Sequence, residues 1–186
     1  MIESAISAIK NGLMVIAQPN KPLTSRSGSN KTYLIDSRGA GVNIELREII
    51  ISEMERCIKS FPDFEIIGGV SKSGTSWGAW LSWKLRMPFV NVLLDGKRES
   101  GLQREIEGDV EGKNVVLVDN WLRSGKSIQS AIEVVKRNGG NVIGALVITK
   151  IKDIELNPTV IPIWELDELF EAARITNLVP DDYIFQ

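Results

Sequence analysis

The sequence predicts an α/β fold in which helices flank a central parallel sheet and the two termini form a small hood. Runs of valine, isoleucine and leucine recur along the chain, and most precede a glycine-containing loop and an amphipathic helix. The 186 residues are 43% hydrophobic and 25% charged, the usual balance of one globular domain. We therefore expect a single domain over residues 1–186, with a core at about 36–154 and hood segments at about 1–35 and 155–186.

The N-terminal part of the chain predicts two helices separated by a stretch rich in turn residues. Apolar side chains at near-helical spacing predict a helix over residues 3–14. Residues 18–31, rich in Pro, Ser, Asn and Gly, predict a loop or hairpin, and a short strand follows at 33–35. Asn43 is a good N-cap for a helix that ends near residue 59, before Phe61-Pro62-Asp63.

The rest of the chain alternates strands with helices. Residues 95–107 are polar and charged without periodicity, which is typical of a mobile loop. A glycine pair, Gly139-Gly140, ends the helix that begins at residue 125. The other predicted elements are a strand at 64–70, a turn at 71–75, a helix at 76–86, strands at 88–94 and 114–119, a loop at 120–124, a helix at 125–138, strands at 141–149 and 160–163, and a helix at 167–174.

Composition excludes several classes of function. The chain has no histidine, so imidazole general bases, histidine-dependent hydrolase triads and histidine-ligated zinc sites are excluded. Its single cysteine, Cys57, allows neither an intrachain disulfide nor a multi-cysteine metal site, which favours a cytoplasmic setting. The formal net charge of −2 does not predict nucleic acid as a partner, and no apolar run is long enough to predict a membrane span.

Residues 115–127 carry the clearest chemical signal. Four apolar residues precede Asp119, and a short loop then leads to a glycine- and hydroxyl-rich turn that opens a helix. Ligands of open α/β sheets bind at the carboxyl ends of strands, and amides at a helix N-terminus bind phosphate. The alternative is an ordinary strand-to-helix connection with an exposed acid. A Walker A loop is disfavoured, because Asn120 stands where that motif needs a glycine five residues before Gly125.

The segment resembles the ribose-phosphate signature of the type I phosphoribosyltransferases, which bind 5-phosphoribosyl 1-diphosphate. Further blocks cover nearly the whole chain in the order seen in orotate phosphoribosyltransferases: Leu23-Thr24-Ser25, Tyr33-Leu34-Ile35-Asp36, Ile66-Ile67-Gly68-Gly69-Val70, Pro88-Phe89-Val90, Ile106-Glu107-Gly108, and a closing strand and helix around 163–170. The resemblance implies transfer of ribose 5-phosphate to a nitrogenous base, orotate or a related one, with release of diphosphate.

The resemblance also implies a role for each part of the site. Residues 95–107 would be a flexible catalytic loop, with Lys97 as its lysine, and Asp119 would be the second catalytic residue. Mg²⁺ would be held mainly by the substrate, and two copies of the chain would form a homodimer. The residues expected to bind the phosphoribosyl diphosphate are Ser71, Lys72, Ser73 and Gly74 for the diphosphate, Asp119 and Asn120 for the ribose hydroxyls, and Arg123, Ser124, Gly125, Lys126 and Ser127 for the 5-phosphate.

The sequence departs from the family pattern at several of these positions. Asn120 stands where the signature has a second acid, and Leu93-Leu94 where the family has an Arg-Lys pair. Lys150 and Lys152 are the cations nearest to the place of an arginine that reads the carboxylate of orotate. Asn120 and Leu93-Leu94 favour an alternative, a binding or regulatory protein that kept the pocket and lost catalysis. Lys97 and the intact phosphate turn favour the enzyme.

The tryptophans allow more than one interpretation. Trp77, Trp80 and Trp83 recur every three residues on one predicted helix, a pattern compatible with core packing and with a subunit interface. Trp121 lies inside the ligand loop. It would either plug the space behind the loop or stack on the base.

Overall fold

The computed structural model describes residues 2–18, 23–24, 30–94, 104–152 and 154–185. The helices are α1 (Ile2–Lys10), α2 (Ile44–Ile58), α3 (Ser73–Leu85), α4 (Lys126–Arg137) and α5 (Leu166–Ile175), with a short 3₁₀ helix at Arg38–Gly41. The strands are β1 (Met14–Ile16), β2 (Leu23–Thr24), β3 (Asn30–Lys31), β4 (Tyr33–Ile35), β5 (Ile66–Val70), β6 (Phe89–Val92), β7 (Ile106–Glu107), β8 (Asn114–Leu122), β9 (Asn141–Lys150) and β10 (Val160–Trp164).

The chain divides into two compact units, Met1–Ile50 with Trp164–Gln186, and Ile51–Ile163. The second unit is built on a six-stranded sheet in the order β10-β9-β8-β5-β6-β7. Strands β6, β5, β8 and β9 run parallel, whereas β7 is antiparallel to β6. All five residues of β5 are buried, as expected for a parallel strand covered on both faces. The predicted α/β class is confirmed.

Apolar side chains from the sheet and from α4 form one core cluster. Leu117 of β8 and Val147 of β9 pack in the same cluster as Ile128 and Val135 of α4. Helix α3 lies very close to β5, since a Cβ added to Gly78 would come within 3.0 Å of the Cα atom of Gly69. This close packing positions the N-terminus of α3 beside the sheet.

Several element boundaries differ from the sequence prediction. Helix α3 begins at Ser73, three residues earlier than predicted, and the predicted loop over 95–107 contains β7 at its end. Strand β8 continues past the predicted end at residue 119, because β9 continues beside it and pairs Trp121 with Thr149. At the N-terminus, α1 ends at Lys10 and the expected last helical residue, Met14, instead opens β1.

The terminal unit contains helices α1 and α5 and two small antiparallel pairs, β1 with β4 and β2 with β3. The β2–β3 pair confirms a hairpin in the turn-rich stretch. Asn43 caps α2 as predicted, since its Oδ1 atom accepts the backbone N–H of Leu46 at 3.0 Å. The C-terminal segment is anchored by Phe185, whose ring stacks on Phe170 with centroids 3.9 Å apart.

The three tryptophans of α3 differ in burial. Trp77 is 2% exposed and belongs to the core, whereas Trp83 is 82% exposed. A step of three residues falls about 60° short of a full helical turn, so six residues rotate the side chain by about 120°. The spacing therefore carries one tryptophan from the core to the surface. In the part of the chain that the structure describes, no helix is long and apolar enough to cross a membrane.

Candidate functional site

The turn between β8 and α4 has the backbone geometry of an anion site. Gly125 is the residue before the helix and has a positive φ of 73°, which glycine adopts without strain. A glycine has no side chain to cap the helix, so the first-turn amides of α4 are left for a ligand. Gly125 itself is buried, and its exposed neighbours in the turn are Arg123, Ser124, Lys126 and Ser127. The structure thus brings the five predicted phosphate residues together.

Asp119 is the acidic group at the carboxyl end of β8. It is 6% exposed, and one of its carboxylate oxygens accepts the backbone N–H of Asn120 at 2.7 Å. Burial raises the pKa of this carboxyl to about 6, and the bond from Asn120 only partly offsets the shift. Asp119 is therefore a weakly hydrated acceptor suited to a sugar hydroxyl.

Asn120 has an amide side chain at the position where the resembled signature has a second carboxylate. Its Oδ1 atom accepts the backbone N–H of Trp121 at 2.8 Å. The amide oxygen is therefore engaged with the strand end, which leaves the amide N–H₂ group as the part of this side chain that can donate to a ligand.

The predicted diphosphate loop lies at the carboxyl end of β5, next to β8 in the sheet. Ser71 follows β5, the Ser71–Lys72 peptide bond is cis, and Ser73 and Gly74 form the first turn of α3. Gly74 packs against β8 so closely that an added Cβ would lie 2.9 Å from the Cα atom of Asp119 and overlap the carbonyl oxygen of Val118. The two predicted binding segments therefore meet at one edge of the sheet.

Lys97, the predicted catalytic lysine, lies outside the described residues, but the chain on both sides of it is described. The backbone N–H of Leu93 donates to the carbonyl of Glu105 at 2.9 Å. The N–H of Leu94 donates to the hydroxyl oxygen of Ser71 at 3.1 Å. The segment carrying Lys97 thus leaves and rejoins the sheet at neighbouring points, beside the diphosphate loop.

Leu93 and Leu94, which replace a basic pair, are both half-buried. Leu94 packs against the apolar cluster that joins the sheet to α4. Its side chain therefore contributes to the core. A lysine at this position would have to extend its ammonium group to the solvent.

A chain of hydrogen bonds near the diphosphate loop was not predicted from the sequence. The hydroxyl of Thr75 donates to Oδ1 of Asn91 at 2.7 Å, and Nδ2 of Asn91 donates to Glu107 at 3.0 Å. The chain connects α3 with β6 and β7. No signal in the sequence could have found it, because Thr75, Asn91 and Glu107 are brought together only by the strand order.

Two further polar atoms at this edge were also missed. Nε1 of Trp121 and Oγ1 of Thr149 are buried and have no hydrogen-bond partner among the described residues. The two roles given to Trp121 from the sequence, a plug behind the loop and a base-stacking group, stay predictions. Over the same residues, no group of three or more acidic or cysteine side chains could hold a metal ion.

The chain is similar to known proteins in sequence and in fold. Residues 45–166 match the model of the phosphoribosyl transferase domain family. An orotate phosphoribosyltransferase of Bacillus cereus is 31% identical over 171 residues, covering 91% of this chain and 76% of that protein. The crystal structure of orotate phosphoribosyltransferase from Aeropyrum pernix has a TM-score of 0.72 at 21% identity, covering 90% of this chain and 97% of that one. The Mycobacterium tuberculosis orotate phosphoribosyltransferase in complex with 5-phospho-α-D-ribosyl 1-diphosphate has a TM-score of 0.70 at 19% identity, covering 91% and 99%.

Proposed function

The chain belongs to the phosphoribosyl transferase domain family, and from this premise we propose that it is an orotate-type phosphoribosyltransferase of pyrimidine biosynthesis. The enzyme transfers ribose 5-phosphate from 5-phosphoribosyl 1-diphosphate to a ring nitrogen of the base. A bond forms between that nitrogen and C1 of the ribose, the nitrogen loses its proton, and the bond from C1 to the diphosphate oxygen breaks. The observation that carries the proposal is the meeting of two phosphate-type turns beside Asp119 at one sheet edge.

Each turn has a distinct task in this reaction. The α4 turn, residues 123–127, binds the 5-phosphate through backbone amides and through the charges of Arg123 and Lys126. The diphosphate loop, residues 71–74, presents the N-terminus of α3 to the leaving group. Asp119 accepts a hydrogen bond from a ribose hydroxyl, and Asn120 donates from its amide. Lys97 meets the charge that develops on the departing diphosphate.

Mg²⁺ is part of the proposal as a substrate-borne ion. Asp119 fits this role, because one carboxylate at the site can accept from the water shell of an ion that the substrate carries. Asp119 would contact the hydrated ion through an acceptor oxygen, while the substrate oxygens supply most of the ligands. The ion supplies positive charge that makes diphosphate a better leaving group.

We also propose that the enzyme is a cytoplasmic homodimer. Trp83 on α3 is exposed. This supports the dimer, because aromatic residues are more frequent at subunit interfaces than on the rest of a protein surface. Light scattering at micromolar concentration should give twice the mass of the chain, and Trp83→Glu should lower that mass towards the monomer. A wild-type protein that scatters as a monomer would contradict the dimer.

The reaction itself is tested by turnover of radiolabelled 5-phosphoribosyl 1-diphosphate against a panel of bases, with Mg²⁺ present. We expect labelled nucleotide and diphosphate in equal amounts, with orotate among the accepted bases. Asn120, which lacks the second negative charge of the signature, is the observation that favours the alternative of a regulatory protein. Tight binding of the diphosphate substrate with no turnover of any base would establish that alternative.

A further inference from the structure

The side chains of Thr75, Asn91 and Glu107 form a chain of hydrogen bonds on the face of the sheet that α3 covers. Gly69 of β5 pairs with Asn91 of β6, and Asn91 pairs with Glu107 of β7, so the three residues project to the same face. Gly69 has no side chain, and a Cβ added there would lie 2.8 Å from the Cα atom of Thr75. The first turn of α3 therefore lies close enough for the Thr75 hydroxyl to reach Asn91 at 2.7 Å.

The chemistry of the three groups fixes the direction of each hydrogen bond. A carboxylate offers only acceptors, so the Asn91 amide turns its Nδ2 atom towards Glu107 and donates at 3.0 Å. Its Oδ1 atom is then left to accept the proton of the Thr75 hydroxyl. A flipped amide would place its oxygen against the carboxylate of Glu107 and its N–H₂ group against Thr75. Asn91 is therefore held in one orientation by β7, and Thr75 is held in one orientation by Asn91.

Thr75 directly follows the diphosphate loop, residues 71–74, and belongs to the first turn of α3. The N–H groups of a first helical turn have no acceptor within the helix, so they can bind an anion. The start of the loop is also tied to the end of β6. The backbone N–H of Ser71 donates to the carbonyl of Val92 at 2.9 Å, and its hydroxyl accepts the N–H of Leu94 at 3.1 Å. The Thr75 hydroxyl provides the matching bond at the other end of the loop.

We propose that Asn91 is a positioning residue for the diphosphate group of the substrate. It holds Thr75 and thereby sets where the first-turn N–H groups of α3 point, while Glu107 orients the Asn91 amide. Asn91 acts through Thr75 rather than through contact with the substrate. The inference rests on the proposed function, since it concerns the loop that binds the leaving group. A displacement of about 1 Å in groups that position a reactant can cost about 10²-fold in rate, so the loss of this bond is measurable.

The test compares Thr75→Val, which loses the hydroxyl and keeps the branched shape, with Thr75→Ser, which keeps the hydroxyl. Calorimetric titration with 5-phosphoribosyl 1-diphosphate and Mg²⁺ should give a Kd about 10-fold higher for Thr75→Val and close to wild type for Thr75→Ser. Asn91→Leu should weaken binding to the same extent as Thr75→Val. The double variant should bind no more weakly than either single one, because all three remove the same bond. The Kd for orotidine 5′-monophosphate, which carries no diphosphate, should stay at the wild-type value throughout.

Thr176→Val is the matched control for a purely structural effect. The hydroxyl of Thr176 is also half-buried and donates to the carbonyl of Ala172 at 2.9 Å, at the end of α5. The control therefore loses a hydrogen bond of the same kind in a helix to which no role in the site is given. It should lose a similar amount of stability and keep the wild-type Kd for both ligands.

The binding comparison separates this inference from the proposed function, because it needs no turnover. A wild-type protein that binds 5-phosphoribosyl 1-diphosphate without turnover would overturn the proposed function alone. A folded Thr75→Val that binds this ligand as tightly as wild type would overturn the positioning role, and so would an equal loss of affinity in Thr75→Ser or in Thr176→Val. A wild-type protein that does not bind the ligand would overturn both. If Asn91→Leu does not fold, the two Thr75 variants decide the outcome by themselves.

Discussion

Gly74 is the residue through which the diphosphate loop contacts the strand that carries Asp119, so Gly74→Ala perturbs both binding segments at once. A Cβ at this position would lie 2.9 Å from the Cα atom of Asp119 and would overlap the carbonyl oxygen of Val118. Both atoms belong to the backbone of a central strand with neighbours on either side. They cannot rotate aside as a flexible side chain could. Helix α3 must therefore move away from the sheet.

The cost follows from ordinary contact distances. Carbon atoms pack best at about 3.5–4.0 Å, so the helix has to shift by roughly an ångström to restore contact. Overpacking of this kind in a close-packed core costs about 1–3 kcal/mol. For a chain of this length, that loss lowers the unfolding midpoint by roughly 2–12 °C. The displaced helix also carries the diphosphate loop away from Asp119, so turnover should fall by more than the stability loss alone explains.

Calorimetry or thermal circular dichroism measures the midpoint, and steady-state kinetics at a temperature well below it measures turnover. Gly41→Ala is the matched control, because a Cβ added to Gly41 meets no atom within 4 Å and its φ is not positive. That variant should keep both the wild-type midpoint and the wild-type rate. A Gly74→Ala protein as stable and as active as the control would refute the packing described for α3 and β8.

Three further predictions concern the same site. Gly125→Val forces a β-branched residue into a φ of 73° and towards Leu156 at 3.2 Å, so calorimetry should show lost affinity for a nucleoside 5′-monophosphate in a protein that remains folded; retained affinity would mean the phosphate binds elsewhere. Burial holds the pKa of Asp119 at about 6 against a usual 3.8, so its stabilising contribution is full below about pH 4 and is lost as the pH rises through 6. Between these pH values, the free energy of unfolding measured with denaturant should change by about 3 kcal/mol less in Asp119→Asn than in wild type. Identical pH profiles for the two proteins would contradict the burial of the carboxyl. Lys97→Ala should lower kcat and kcat/KM together by about 10²–10³-fold at unchanged stability, and normal turnover would remove its catalytic role.

Much of the β8–α4 region could be predicted from the sequence, because its signals are local. Four apolar residues before Asp119 indicate a buried strand, and Gly125 followed by periodic apolar residues indicates a turn and a helix. The end of the strand could not be predicted in the same way. The polar pair Asp119-Asn120 resembles a strand terminus, but pairing with the long β9 continues β8 to Leu122. Tertiary pairing overrides the local signal there.

The contacts that shape the site depend on strand order, which no local pattern specifies. Gly74 can be predicted as part of a turn, but its contact with β8 exists only because β8 lies beside β5. The same holds for Trp121 and Thr149, which are far apart in sequence and become neighbours through the β8–β9 register. The unpartnered state of their polar atoms is a property of packing and has no counterpart in composition or periodicity.

The most direct test of the account is a crystal structure of the protein with 5-phosphoribosyl 1-diphosphate and Mg²⁺. We predict the 5-phosphate within hydrogen-bond distance, about 2.7–3.2 Å, of the backbone amides of residues 124–127. The diphosphate should lie at residues 71–74, and a ribose hydroxyl should contact Asp119. A saturated protein whose ligand lies elsewhere, with no phosphate at the α4 turn, would contradict the account.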